Sequence, residues 1–270
     1  MLEAPESARH VARRLLPGYM ANRARRYERD LRRRSGSTAA AERLLAGGLP
    51  VVQAGPFAGL TYPDDRLADI DAPSAKLLGT YEQEIAWVFE RALTSNVTAF
   101  IDIGCADGYY AVGMAHASAA ITTYAYDLAS SARDLCAATA TASEAMPRVR
   151  IGKRFTVDLL ASMPTDGALV LCDIEGAEVD LFDARAAAGL ARSVVVVEVH
   201  ETRRPGAGRY LREVFSRTHD AVSVAQAPRR EIPIQLGGWS EQDQTRAMSE
   251  SRDPSLHWLV LTPRAASGHG

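Results

Sequence analysis

This chain predicts an α/β protein with a mostly parallel sheet, and three features carry the prediction. Beyond residue 97, apolar strand-like runs alternate with helix-like ones, which implies a parallel sheet covered on both faces. A glycine-punctuated turn, "DIGCADGYY", joins the first such strand to the first such helix. Two late apolar runs, "AVSVAQ" and "HWLVLTP", suit an antiparallel hairpin at the sheet edge. With 270 residues, 47 % hydrophobic and 24 % charged, the chain can form one large core, or one core with a small appendage.

The elements follow in order. Residues 9–34 hold ten arginines against Glu28 and Asp30, with Val11, Leu15, Tyr19 and Leu31 spaced loosely as a helix face. One or two helices broken near Pro17 are expected, packing on the domain or on a second copy in a homodimer rather than serving as a phosphate-binding or membrane-surface arm. "RSGSTAAAERLL" reads as a linker and short helix, and "LPVVQAGPFAGLTYP" as two short strands around Gly55-Pro56. In "SAKLLGTYEQEIAWVFERAL" the apolar residues fall near helical spacing, giving one helix or two interrupted at Gly79; Tyr81 and Glu82 are core packing or part of an active-site lid. Residues 1–95 are therefore an N-terminal basic helical extension with a hairpin and lid helix, and 96–270 the main domain. The main-domain strands are expected in "VTAFIDI", "ITTYAYD", "VRIGKRF", "ALVLCDI" and "SVVVVEV", and helices in "YYAVGMAHA", "SARDLCAATATA" and "EVDLFDARAAAGL".

Charge and composition narrow the partners. A net charge of −2 gives no global pull toward nucleic acid or an anionic membrane. Cys105, Cys136 and Cys172 are odd in number and widely spaced, which suggests neither a disulfide framework nor a zinc knuckle and fits a reducing, cytoplasmic compartment. No apolar run approaches the roughly 20 residues that span a bilayer, and arginines come before any apolar signal region could form.

The turn carries the chemistry. Asp102, Gly104 and Gly108 stand where a strand gives way to a helix, and glycine there lets backbone turn tightly and a ligand approach. A dinucleotide fingerprint would have a glycine where Ala106 stands, and the acid at the strand end suits a cationic group better than phosphates. Asp127 ends the next strand, where an acidic side chain can bind ribose hydroxyls or simply cap the helix that follows. A nucleoside with an amino-acid tail fits both acids, and S-adenosylmethionine is such a ligand.

"FIDIGCADGYYAVGMA" with "AYDLA" resembles the cofactor site of class I S-adenosylmethionine-dependent methyltransferases. "LCDIEGAEVDLFD" resembles the D-x-E-G-x-E block of the FkbM-like family, and "VVVVEVHE" the acidic-histidine strand end that follows it in some relatives. The likeness covers residues 95–225, with weaker echoes in "GPFAGLTYP", "LLGTYEQE" and "ESRDPSLHWL". It implies a Rossmann-like sheet of seven strands in the order 3-2-1-4-5-7-6, the last strand antiparallel, and methyl transfer usually to oxygen. Asp102, Gly104, Ala106, Gly108 and Asp127, with Asp173, are the expected cofactor residues. A small-molecule acceptor, a hydroxyl on a sugar or specialised metabolite, is the expected partner.

Alternation along a strand places Asp173 with Glu175, and Glu198 with His200, if each strand extends that far. On neighbouring strands these four would converge at the carboxyl edge, where open α/β sheets bind ligands, with Glu178 and Glu201 close by. His200 is the candidate general base, with Glu198 or Glu175 fixing its tautomer. Alternatively Asp173, Glu175 and His200 chelate a divalent ion. Metal-independent catalysis is the expectation, the positive charge coming from Arg203, Arg204 or the substrate; a cyclase or lyase acting on the sulfonium, and a noncatalytic sensor, are the rivals. Glu178 is as well placed to cap a helix. His219 could approach the same edge, and "TRRPGAGRY" and "APRRE" offer basic groups to an anionic substrate or are solvated loops.

Overall fold

The computed structural model describes residues 36–265 apart from 47, 228, 230 and 251. The arginine-rich stretch 9–34, and with it the proposed dimer contact, lies outside the described residues. Seven strands form one sheet: β1 (Ala99–Ile103), β2 (Thr122–Tyr126), β3 (Val149–Gly152), β4 (Leu169–Cys172), β5 (Val194–Val199), β6 (His219–Ala225) and β7 (His257–Pro263). Their order is β3-β2-β1-β4-β5-β7-β6. Pairings from β3 to β5 are parallel, while β7 runs antiparallel to both β5 and β6. This is a Rossmann-like sheet in the strand order that the resemblance implies.

The helices are α1 (Ser37–Leu45), α2 (Pro73–Leu78), α3 (Ala86–Leu93), α4 (Tyr109–Ala117), α5 (Ser130–Ala142), α6 (Glu178–Leu181), α7 (Ala184–Gly189), α8 (Ala207–Phe215) and α9 (Glu241–Ala247). Side chains alternating along β1 feed two cores. Phe100 joins a cluster with α3, α4 and α5 through Phe89, Val112 and Cys136, and Ile101 and Ile103 join one with α7 and α8 through Ala187, Leu211 and Phe215. Burial on both faces explains why strands β1, β4 and β5 read as nearly continuous apolar runs. Val52, Phe57, Leu60, Tyr62 and Leu77 share the first cluster, so the segment before β1 packs directly on the sheet's helical layer.

One local expectation changes and another narrows to one of its alternatives. "LPVVQAGPFAGLTYP" forms a single antiparallel bridge, Val51 with Thr61, instead of two strands, because turns with Gly55 and Gly59 at positive φ take up the intervening chain. The lid segment is interrupted at Gly79, which closes α2 in the left-handed conformation with its N–H on Ala75 and Lys76 carbonyls; a short 3-10 turn at Gln83–Ile85 then leads into α3.

Candidate functional site

The site lies at the carboxyl edge of the sheet where strand order reverses between β1 and β4, the position at which open α/β sheets bind ligands. On one side is the turn between β1 and α4. Gly104 has φ +101, and a Cβ there would fall 1.8 Å from the Asp173 carbonyl oxygen. Close passage of β1 past β4 is therefore what demands glycine, before any ligand is considered. Gly108, at φ +87, is the N-cap of α4, where a Cβ would crowd Val112 and Cys136. Ala106 adopts φ 44, and its N–H donates to Asp127 Oδ2 at 3.2 Å, while Asp127 Oδ1 accepts from Ala129 N at 2.8 Å. Asp127 thus both braces the turn and caps the approach to α5, the second of its two readings in the sequence.

Asp102 sits beneath this turn, 1 % exposed, with Oδ2 lacking a hydrogen-bond partner. Burial, reinforced by the nearby Asp127 charge, pushes its carboxyl up to about 8, although the Ala111 N–H opposes the shift. A small pocket opens above, lined by Lys76, Tyr81, Glu82, Ala106, Tyr109 and Asp173 among others. Lys76 and Asp107, each 3 % exposed, form an ion pair in its wall.

On the other side stand the ends of β4 and β5. Their register sets Cys172 beside Val197, so Asp173 and Glu198 emerge side by side one residue on. His200, 2 % exposed, points Nε2 at Glu198 Oε2 (3.2 Å), Glu175 Oε2 (3.4 Å) and Asp173 Oδ1 (3.7 Å). Its Nδ1 lies 3.2 Å from Glu178 Oε1, without the alignment of a full hydrogen bond. The four residues expected to converge do so, but not wholly by alternation. β4 ends at Cys172, and Glu175 is swung back toward His200 by a turn in which it adopts φ 64. Glu82, Ala106 and Glu175 are all non-glycine residues at positive φ around this one site, a conformation that stable tertiary contacts must hold in place.

Charge balance follows from the packing. Burial, then Glu198 and Glu175, hold the Asp173 carboxyl well above its ordinary range. Burial works against charge on Glu198 too, but His200, Arg252 and Asp173 outweigh it and bring its carboxyl down to about 2. For the His200 imidazole burial is likewise overcome, by Glu175, Glu178, Glu198 and Asp173, so the ring is held far above its usual range.

Several neighbours escape a reading of the sequence. Arg252 bonds Glu198, and its guanidinium lies 3.0 Å from Glu84 and 3.5 Å from Glu82 and Glu250. Arg229 bonds Glu250 and approaches Glu84 at 2.9 Å. Tyr110 donates to Glu82, whose carboxyl is raised to about 7 by burial and by Glu198 and Glu250, against the pull of Arg252. Glu82 and Glu84, polar in the middle of an apolar-periodic segment, were the visible half of this network. Arg229 lies in "APRRE" and Arg252 in "ESRDPSLHWL", both in the long connection between β6 and β7, but neither stretch tells which acids these arginines meet.

Other candidates move away from the site. Glu201 accepts from Gly206 N at 2.7 Å and Gly208 N at 3.0 Å, capping α8 instead of joining the cluster. His219 opens β6 at the opposite, amino edge, with Nε2 2.9 Å from Ser193 O and Nδ1 2.8 Å from Thr218 Oγ1. Since β6 runs parallel to β5, its first residue cannot reach β5's last. Arg203 stands 2.6 Å from Glu175, whereas Arg204 pairs outward with Asp180.

No protein-family model and no curated protein sequence matches the chain. Solved structures resemble it in fold. An rRNA methylase from Streptococcus thermophilus aligns with a TM-score of 0.47 at 9 % identity, over 68 % of this chain and 99 % of its own. An O-methyltransferase from Bacillus cereus in complex with SAH gives 0.46 at 9 %, over 67 % and 81 %. TomG, a Streptomyces achromogenes O-methyltransferase involved in tomaymycin synthesis and solved with SAM, gives 0.44 at 17 %, over 74 % and 83 %. Among the described residues, no helix is long and apolar enough to cross a membrane.

Proposed function

We propose that the chain is an S-adenosylmethionine-dependent methyltransferase of FkbM-like type that methylates a hydroxyl of a small molecule, a sugar or specialised metabolite. One observation carries the reading: the pocket over the β1–α4 turn, braced by Asp127 on the Ala106 N–H, is bounded by Asp173 of the ionisable cluster. A ligand seated with its ribose at Asp127 and its amino-acid tail over Gly104 would present a sulfonium methyl to the end of β4. Buried Asp102, short of a partner, suits a cationic ammonium group. Of the segment before β1, Lys76, Tyr81 and Glu82 line that pocket, and 96–270 serve as the transfer domain. Buried, unbridged cysteines accord with a reducing, cytoplasmic setting.

In the reaction, the acceptor oxygen attacks the methyl carbon in line. The carbon–sulfur bond breaks with its electrons on sulfur, leaving S-adenosylhomocysteine, and the hydroxyl proton passes to the cluster of Asp173, Glu175, Glu198 and His200. Positioning supplies much of the rate, because the two reactants are held in line and close.

Calorimetric titration with S-adenosylmethionine, followed by incubation of methyl-labelled cofactor with hydroxylated sugars and metabolites, tests this. Saturable cofactor binding and a labelled product are expected, and His200→Ala should keep cofactor affinity while losing about 10²-fold or more in turnover. Methylthioadenosine without a methylated acceptor would instead identify sulfonium cyclase or lyase chemistry. Absence of any cofactor binding by the folded protein would overturn the proposal.

A further inference from the structure

We infer that Asp173, Glu175 and His200 form a divalent-cation site, with Glu178 behind the imidazole as the carboxylate that orients it. The three side chains each offer one ligand atom within 4.8 Å of one another. From His200 Nε2, Glu175 Oε2 is 3.4 Å and Asp173 Oδ1 3.7 Å away. Two ligands at a right angle and about 2.3–2.6 Å from an ion lie about 3.3–3.7 Å apart, so these separations are edges of a coordination polyhedron, and a small contraction reaches the shorter bonds of smaller ions.

Two observations beyond the grouping of acids point to a cation. Asp173 Oδ1 is shut away from solvent with no hydrogen-bond donor. The imidazole, 2 % exposed, aims Nε2 into the group while a fully buried Glu178 stands 3.2 Å from Nδ1. A carboxylate behind a histidine is how proteins fix the tautomer that presents the other nitrogen to a metal. Glu178 is itself locked by accepting from Ile174 N at 3.0 Å and Gly176 N at 3.2 Å, so it cannot turn away.

Charged neighbours fit the assignment. Glu198 Oε2 lies 3.2 Å from Nε2, while its other oxygen, Oε1, is held by Arg252, which offsets its charge. Arg203, one-third exposed, stands 2.6 Å from that same Glu175 Oε2 and supplies positive charge from the solvent side; the oxygen has a second lone pair to offer an ion. Mixed oxygen and imidazole ligands suit Mn²⁺ or Fe²⁺ better than a closed zinc site. Three protein ligands leave positions for the acceptor hydroxyl, whose proton a bound cation would make easier to remove. That last role rests on the methyl-transfer reading; binding of the ion does not.

The test uses the full chain, stripped with a chelator and titrated with Mn²⁺ alone, following the electron paramagnetic resonance signal of free Mn²⁺. One saturable ion per chain is expected. His200→Gln and Asp173→Asn should weaken binding about 100-fold, and Glu178→Gln about tenfold, as loss of an orienting partner does. Electron spin-echo modulation of the parent should show coupling to an imidazole nitrogen, which needs no variant to fold. Absence of saturable Mn²⁺ binding, absence of nitrogen coupling, or binding that folded His200→Gln and Asp173→Asn retain would each overturn the site. S-adenosylmethionine titration of the same sample separates the two proposals: cofactor binding without Mn²⁺ binding removes only the cation site, and the reverse removes only the methyl-transfer reading.

Discussion

At the ends of β1 and β2 the ligand-facing surface is made mostly by backbone: two glycines and an alanine at positive φ, and an aspartate whose two oxygens are both taken by main-chain N–H groups. At the ends of β4 and β5 it is made by side chains. Five ionisable groups surround one another, and arginines from the β5–α8 turn and the β6–β7 connection complete the balance. The first region works by shape, so extra atoms should damage it. The second works by charge, so removing one partner should leave the others uncompensated.

The largest effect is expected where the two regions touch. Gly104→Ala puts a methyl group 1.8 Å from the Asp173 carbonyl oxygen, a backbone atom that cannot step aside. A loss of about 4 kcal/mol or more is expected, by urea denaturation, with cofactor affinity falling only as a consequence of unfolding. Parent-like stability would show that β1 and β4 do not pass so closely.

Arg252→Leu probes the charged side. Its guanidinium, 7 % exposed, serves Glu198 and Glu84, and removing it strands buried carboxylates. Breaking such a network costs about 3 kcal/mol. The penalty should be greatest near pH 8 and shrink below pH 6, as Glu82, raised to about 7, takes up its proton. A pH-independent penalty in melting experiments would mean that Arg252 acts by packing on Trp258, whose ring lies 5.4 Å away, rather than by charge.

Asp127→Ala sharpens the comparison on the shape side. It removes the brace on Ala106 and the proposed ribose contact together, and should weaken S-adenosylmethionine binding about tenfold, or 1.4 kcal/mol. Calorimetry in which affinity is unchanged would reassign Asp127 to capping alone.

The last effect, read as a change with pH and not as a single loss, concerns Asp102. Its folded-state value of about 8 exceeds the ordinary 3.9 or so of an unfolded aspartate, so the folded state holds the proton more tightly. The stability this contributes is fully present below about pH 4 and is lost as pH rises toward 8. Relative to Asp102→Asn, the cofactor-free parent should therefore melt progressively lower between pH 5 and 8. A constant difference across that range would show that Asp102 is not buried uncharged.

Local pattern was enough for the strand series, the edge hairpin, the glycine turn and the break at Gly79, because strand alternation, helical spacing and glycine preference act within a few residues. The sequence also determined which residues could meet at the carboxyl edge: Asp173, Glu175, Glu198 and His200 are each at or just beyond a strand end. Tertiary structure decided the rest. Strand order put β4 beside β5 and sent His219 to the far edge, a left-handed turn delivered Glu175, and Gly208 and Gly206 drew Glu201 away to a helix cap. It alone brought Arg229 and Arg252 onto Glu82, Glu84, Glu198 and Glu250. Arg252 and Glu84 are 168 residues apart, and burial sets both the strength and the protonation of such pairs. The desolvation that raises Asp102 or Glu82 exists only once both faces of the sheet are covered, and no local pattern encodes it.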